Sequence, residues 1–213
     1  MSMSRAISNS PYLVANKNSS ASESYRTLRT NIRFSATGRS SKILLVTSAG
    51  SNEGKTTTAT NLAVSYAQES KKVLLIDGNL RNPSLQRVFP GSSKRGLSDV
   101  LSGQCGIEAA VSATIIPNLT VLTSGAIPPN PSEILGSDRM QELLQEVSAY
   151  YDVVVIDSPA ALKVSDAQIL GTMSNGVVLV ANQGKVTKQE LKRVKKRMEH
   201  VNAHILGVVL NKA

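Results

Sequence analysis

Gly54, Lys55 and Thr56 close the segment Ala49 to Thr56, which reads A-x-x-x-x-G-K-T. A loop of small residues ending in Lys-Thr can cradle phosphates. Its N–H groups point inward, the Lys ammonium reaches β- and γ-phosphates, and the Thr hydroxyl can ligate Mg²⁺. The pattern usually opens on Gly; here Ala49, also small, holds that place. Ser51, Asn52, Glu53, Gly54, Lys55, Thr56 and Thr57 are therefore the candidate nucleotide contacts. Two carboxylates complete the chemistry. Asp77 ends the run Val73-Leu74-Leu75-Ile76, and Asp157 ends Val153-Val154-Val155-Ile156. An acid at the carboxyl end of a buried strand, beside a phosphate loop, can hold Mg²⁺ directly or through water. Thr56 and Asp157 are thus candidate metal ligands, and Asp77 is expected near the bound phosphates.

These residues need a scaffold that brings strand ends together. Ile43 to Val46 reads as a short buried strand, and Ala59, Leu62, Ala63, Tyr66 and Ala67 recur at helical spacing after Lys55. Strand, loop and helix is the context a phosphate loop requires. Further strands are expected at Lys72 to Asp77, Leu119 to Leu122, Asp152 to Asp157, Gly176 to Val180 and Ile205 to Leu210. The spacing predicts one helix from about Pro131, with Met140, Leu143, Leu144 and Val147 facing inward. It predicts others over Asp166 to Met173 and Thr187 to His200, the last with Leu191, Val194, Met198 and Val201 as its apolar stripe. Ser84 to Val111 reads as short helices and loops. Asn211 follows the last strand, where a nucleotide base could lie. The pattern implies an α/β fold, a mostly parallel sheet flanked by helices on both faces.

Residues 1–22, rich in Ser and Asn, are expected to form a mobile N-terminal arm. Residues 23–34 change character. Tyr25, Leu28 and Ile32 fall at helical spacing, with Glu23, Arg26 and Arg29 along a charged ridge and Ser22 as a cap. That ridge suits either solvent or a neighbouring subunit.

A chain of 213 residues suits one such domain. Aromatics make up 3% and Trp is absent, so the core must be aliphatic. The one cysteine, Cys105, excludes an internal disulfide and a Cys-rich metal site. His200 and His204 lack a third ligand and are not expected to bind metal. No run of 18 apolar residues and no signal peptide is visible, which predicts a cytosolic protein. The net charge of +9 points to an acidic or phosphorylated partner, an anionic membrane surface or nucleic acid. The six cations between Lys188 and Arg197 concentrate this charge on one helix, where solvent, an acidic partner or membrane headgroups are the options.

Taken together, the motifs resemble the bacterial tyrosine kinase family, P-loop kinases of capsule and exopolysaccharide assembly. Its architecture is that of the P-loop NTPases of MinD/ParA type. The resemblance rests on Ala49 to Thr56, on Asp77 and Arg81 within Val73 to Pro83, and on Val153 to Pro159. It also rests on Pro128 to Glu133, Asp166-Ala167-Gln168 and Gly207 to Lys212. Glu23, Arg26 and Arg29 match the family's E-x-x-R-x-x-R motif, which mediates ring-shaped oligomerisation. The resemblance covers residues 20 to 213 and implies one kinase domain over 23–213, with 23–34 as its oligomerisation helix. It implies ATP/ADP and Mg²⁺ as cofactors, Thr56, Asp77 and Asp157 as the residues that hold Mg²⁺, the two acids through waters, and Lys55, Asp77, Arg81 and Asp157 as catalytic residues. The implied partners are the cytosolic tail of a membrane polysaccharide co-polymerase as activator, further copies of the chain, and tyrosine-bearing proteins as substrates. No nucleic acid is expected. The implied location is the cytoplasm, at the inner face of the cell membrane.

Three departures shape the expectation. Asn79 stands where the family has a second Asp; its amide can accept a hydrogen bond but cannot act as a base. Ser51-Asn52 replaces Pro-Gly in the loop, with Asn able to take the positive φ. No tyrosine follows Tyr150 and Tyr151. Either the chain continues beyond Ala213, or the substrate is another protein. The competing readings are a MinD/ParA-type switch ATPase and a catalytically weak nucleotide-binding scaffold of the polysaccharide machinery. The first normally carries a signature Lys where this chain has Gly50.

Overall fold

The computed structural model describes residues 19–35 and 42–211. In chain order the elements are α1 (Ser20–Ser35), β1 (Ile43–Ser48), α2 (Lys55–Ala67), β2 (Val73–Asp77), α3 (Leu85–Val88), α4 (Leu97–Leu101), α5 (Ile107–Ala110), β3 (Val111–Ala113) and β4 (Leu119–Leu122). There follow α6 (Pro131–Leu135), α7 (Asp138–Tyr150), β5 (Val153–Asp157), α8 (Asp166–Thr172), β6 (Gly176–Asn182), α9 (Lys188–His200) and β7 (Ile205–Asn211). The strands form one seven-stranded sheet in the order β3-β4-β2-β5-β1-β6-β7. Every pairing is parallel except β3 with β4.

The period-two alternation of strand side chains divides the core in two. Leu45 and Ile43 of β1, Leu74 and Ile76 of β2, and Val154 and Ile156 of β5 face α7, α8 and α9. Leu44 and Val46, Leu75, and Val153 and Val155 face α2 on the other side. Because both faces are covered, the central strands can be wholly apolar until their last residue. α2 is covered twice, by the sheet and by α1, so Thr58 to Ala67 are all buried.

α1 begins at Ser20, three residues before the expected start, so residues 19–22 do not belong to a mobile arm. The expected cap, Ser22, lies inside the helix and is buried. Ser19 caps instead: its Oγ accepts the N–H of Ser22 at 3.2 Å. The rest of the expected arm, residues 1–18, lies outside the described residues, as does Lys212. Ile32 is buried on α2, with Tyr25 and Leu28 partly so. Arg29 fastens the helix there, through Glu69 at 2.7 Å and the Ser65 carbonyl.

Three other expectations change. The strand at Leu119–Leu122 gains an antiparallel neighbour, β3, whose three half-exposed residues carry too little apolar signal to be read. The helix expected from Pro131 is two helices, because the chain breaks at Gly136 and Ser137 before α7 restarts. Of the α9 stripe, Val194 and Met198 are buried, whereas Leu191 and Val201 are only half-buried.

Candidate functional site

β2, β5 and β1 are neighbours in the sheet, so their carboxyl ends lie side by side. Asp77 pairs in register with Asp157, and Val46 of β1 pairs with Asp157 on its other side. The loop after β1 therefore starts beside both acids. From β1 the chain passes to β2 on one side and from β5 it passes to β6 on the other, so the crevice that an open parallel sheet leaves for ligands lies between the ends of β1 and β5.

The loop has the conformation an anion site needs. Asn52 sits at φ +60°, as its small polar side chain allows. Gly54 sits at φ +93°, and a Cβ there would lie 1.9 Å from Asn211 Nδ2. Only glycine fits that position. α2 then opens with Lys55 and carries no acid in its first turn, so its N-terminal N–H groups and partial positive charge are free for phosphate. Ser51, Asn52 and Thr57 are exposed at the mouth, while Lys55 and Thr56 are half-buried.

Lys55 Nζ donates to the Gly50 carbonyl at 3.3 Å. Burial pushes its pKa down, against the pull of the Asp157 and Glu53 charges. Thr56 Oγ1 donates to Asp157 Oδ2 at 2.5 Å and lies 3.1 Å from Ser84 Oγ. Asp157 is fully buried and its other oxygen, Oδ1, has no hydrogen-bond partner. Burial, reinforced by the nearby Asp77 charge, pushes its pKa up to about 7; the Thr56 hydroxyl and the Lys55 charge oppose this. Asp77 is equally buried but well satisfied. Oδ1 accepts the N–H of Asn79 at 3.2 Å, and Oδ2 accepts those of Ser84 and Leu85, each at 2.9 Å. It therefore caps α3 as well as standing beside Asp157.

These groups fit a hard divalent cation. A buried carboxylate oxygen left without a partner is costly, and here it adjoins a threonine hydroxyl at the mouth of an anion cradle. Among the described residues there is no cluster of three His, Cys, Asp or Glu that could hold a metal. Mg²⁺ commonly takes one or two carboxylates and completes its shell with phosphates and water.

Two predicted residues sit differently from their expected roles. Asn211 donates from Nδ2 to the Glu53 carbonyl at 2.9 Å, so it straps the loop to the end of β7. Removing that strap in Asn211→Ala should raise the KM for nucleotide roughly fivefold, the worth of one hydrogen bond. Steady-state kinetics would read this, and an unchanged KM would count against the strap. Arg81 is forked onto the buried Asp166, Nε to Oδ2 at 2.8 Å and Nη2 to Oδ1 at 3.1 Å. Ser132 Oγ donates to the same Oδ1 at 2.7 Å, tying the β2 loop to α6 and α8. Glu53, also among the expected nucleotide contacts, has a buried side chain whose Oε1 accepts the Gly50 N–H across the loop. Ser84, which the sequence did not single out, brings a hydroxyl to Thr56, and nothing local marks it.

Comparison with known proteins places the chain among relatives. A family model described as an AAA domain matches residues 41–209. Tyrosine-protein kinase YwqD of Bacillus subtilis is 47% identical over 190 residues, covering 89% of this chain and 80% of that protein. Among solved structures, the kinase domain of Escherichia coli tyrosine kinase ETK superposes with a TM-score of 0.90 at 37% identity. It covers 93% of this chain and 78% of that one. The chimerical protein CapA2B2 superposes at 0.92 with 37% identity, covering 97% and 90%.

Proposed function

The chain belongs to the bacterial tyrosine-protein kinases, and from that premise we propose that it transfers the γ-phosphoryl group of ATP to protein tyrosine. The observation that carries this is the orphaned Asp157 Oδ1 beside the Thr56 hydroxyl at the mouth of the phosphate loop. Thr56 and Asp157, with Asp77 alongside, would hold Mg²⁺, which when bound neutralises charge on the β- and γ-phosphates. Lys55 and the N–H groups from Gly54 to Thr57 bind and orient the triphosphate. Thr56 releases its hydrogen bond to Asp157 or shares it, and Lys55 turns from the Gly50 carbonyl to the phosphates. Catalysis in this arrangement is chiefly positioning and charge neutralisation.

Asn79 is the weak point of the machinery. Its amide is engaged with Asn82, Nδ2 to the carbonyl at 2.9 Å, and it offers no base. Asp77 would then be the carboxylate left to receive the tyrosine proton, although three N–H groups already bond to it. This supports a slow kinase and keeps a gating scaffold as a second reading. Asn79→Asp should raise phosphotyrosine formation about tenfold or more, within the range of general-base catalysis. The assay is the purified protein with ATP, Mg²⁺ and an activator tail. A wild type that labels no tyrosine, beside an active Asn79→Asp, would favour the scaffold. The switch-ATPase reading is consistent with the fold, but Gly50 lacks the side chain that its signature lysine supplies.

Residues 23–213 would work as one kinase domain that assembles into a ring and is regulated by the tail of a membrane activator in capsular or exopolysaccharide synthesis. Glu23 and Arg26 pair with each other at 2.8 Å on the outer side of α1. Towards the other end of α1 a groove of about 470 Å³ runs between this helix and the edge strand β7, lined by Leu28, Ile32, Phe34, Val208 and Val209 among others. Phe34 and Val208 of its lining are exposed, as is Leu210 farther along β7, a surface suited to a second copy. Arg29 is committed to α2, so its loss would loosen α1 as well as any interface. Glu23→Ala with Arg26→Ala is the cleaner test: the particle should shrink to a monomer in light scattering, with an unaltered melting temperature. An unchanged mass would remove these residues from the interface.

A further inference from the structure

We propose that the outward face of α9 is a docking surface for anionic phospholipid headgroups. One side of this helix is already committed. Val194 and Met198 are buried in the core, and Arg197 donates to the Ala161 carbonyl at 3.1 Å. Glu190 is folded back onto Thr187 in a capping box, and Lys195 is matched by Glu199 at 3.4 Å on the flank. What points away from the protein is Lys192, Arg193 and Lys196, all exposed. At helical spacing they span an arc of about 100°, on the opposite side from Val194 and Met198. Lys188, and Lys185 in the preceding turn, extend the patch.

This face carries a cost. Lys188, Lys192 and Lys196 follow one another at i, i+4, where like charges repel and weaken a helix. Among the described residues Lys192, Arg193 and Lys196 form no ion pair. The face has no aromatic or aliphatic anchor either. Protein interfaces are built around such anchors and are poor in lysine, so a folded partner is a poor match. A row of hydrated ammonium groups on long stems matches a diffuse plane of phosphate charge. No described helix is long and apolar enough to cross a membrane, so attachment through α9 would be peripheral. The first turn of α9 also lies close enough to the phosphate loop for Glu190 to act on Glu53. A bilayer held against α9 would thus keep the nucleotide site near the membrane surface.

The test is cosedimentation of the full chain with vesicles, either pure phosphatidylcholine or phosphatidylcholine mixed with phosphatidylglycerol. Binding is expected only to the mixture and should weaken steeply with salt. The triple variant Lys192→Ala, Arg193→Ala, Lys196→Ala should bind roughly a hundredfold more weakly, about fivefold per residue. It should melt at or slightly above the wild-type temperature, since all three side chains are exposed and the like-charge repulsion along the helix is relieved. Equal binding to both vesicles, no binding to either, or undiminished binding by the variant would each overturn the proposal. So would equally tight binding of polyglutamate or duplex DNA at the same salt, which would assign the face to an acidic protein or to nucleic acid.

Discussion

Lys55→Met is expected to lower tyrosine phosphorylation by roughly 10²–10³-fold, the usual worth of one preorganised charge aimed at a developing anion. The side chain is placed for it. Nζ rests 3.3 Å from the Gly50 carbonyl inside the loop it must serve, half-buried, with burial lowering its pKa against the opposing pull of Asp157 and Glu53. Methionine keeps the length and loses the ammonium. The fold should not suffer, because burial disfavours the charge that is removed. Without nucleotide the variant should melt at or above the wild-type temperature, whereas stabilisation by added Mg-ATP should largely vanish. Phosphotyrosine formed from labelled ATP reads the first effect and thermal melting reads the second. Equal phosphorylation by the two proteins would remove the kinase assignment.

Asp157→Asn should separate stability from activity in the opposite sense. In the unfolded chain this carboxyl ionises near pH 4, as any aspartate does. In the folded, metal-free protein it keeps its proton up to about pH 7. Between those values the folded state binds more protons than the unfolded one, so stability falls as pH rises. The penalty is complete above about pH 7, where the carboxylate must be ionised in a fully buried place. Asparagine carries no such charge. The metal-free variant should therefore be more stable than wild type at pH 8, by an amount on the order of a few kcal/mol, and level with it near pH 4. Its phosphorylation rate should fall by about 10²-fold or more, because an amide replaces the carboxylate whose free oxygen suits Mg²⁺. Urea unfolding at the two pH values, with and without Mg²⁺, checks the sign. A variant less stable than wild type at pH 8 without metal would contradict this account of the carboxylate.

The features that locate the site were legible because they are local. An aliphatic run ending in aspartate announces a strand buried on both faces whose last residue emerges into the crevice; Asp77 and Asp157 are the result. The Gly-Lys-Thr triplet between a strand and a helix is equally local, and the left-handed Asn52 follows from its chemistry. What stayed hidden depends on contacts far apart in the chain. Asn211 reaches Glu53 across 158 residues, and Arg81 reaches Asp166 across 85. No pattern at either end says that the amide straps a loop or that the guanidinium is committed to a buried carboxylate. Arg29 teaches the same lesson. Its spacing marks a charged ridge, yet its side chain turns inward onto Ser65 of α2 and Glu69 in the turn after it. β3 was missed for another reason: three residues at a sheet edge need no apolar alternation to pair.

The most direct test of the account is a crystal structure of the protein with a non-hydrolysable ATP analogue and Mn²⁺, whose anomalous signal marks the metal. The expected map has the β- and γ-phosphates against the N–H groups of Gly54 to Thr57, and a metal peak at the Thr56 hydroxyl and beside Asp157 Oδ1, directly or through one water. A metal bound elsewhere, with Asp157 Oδ1 still unpartnered, would contradict it.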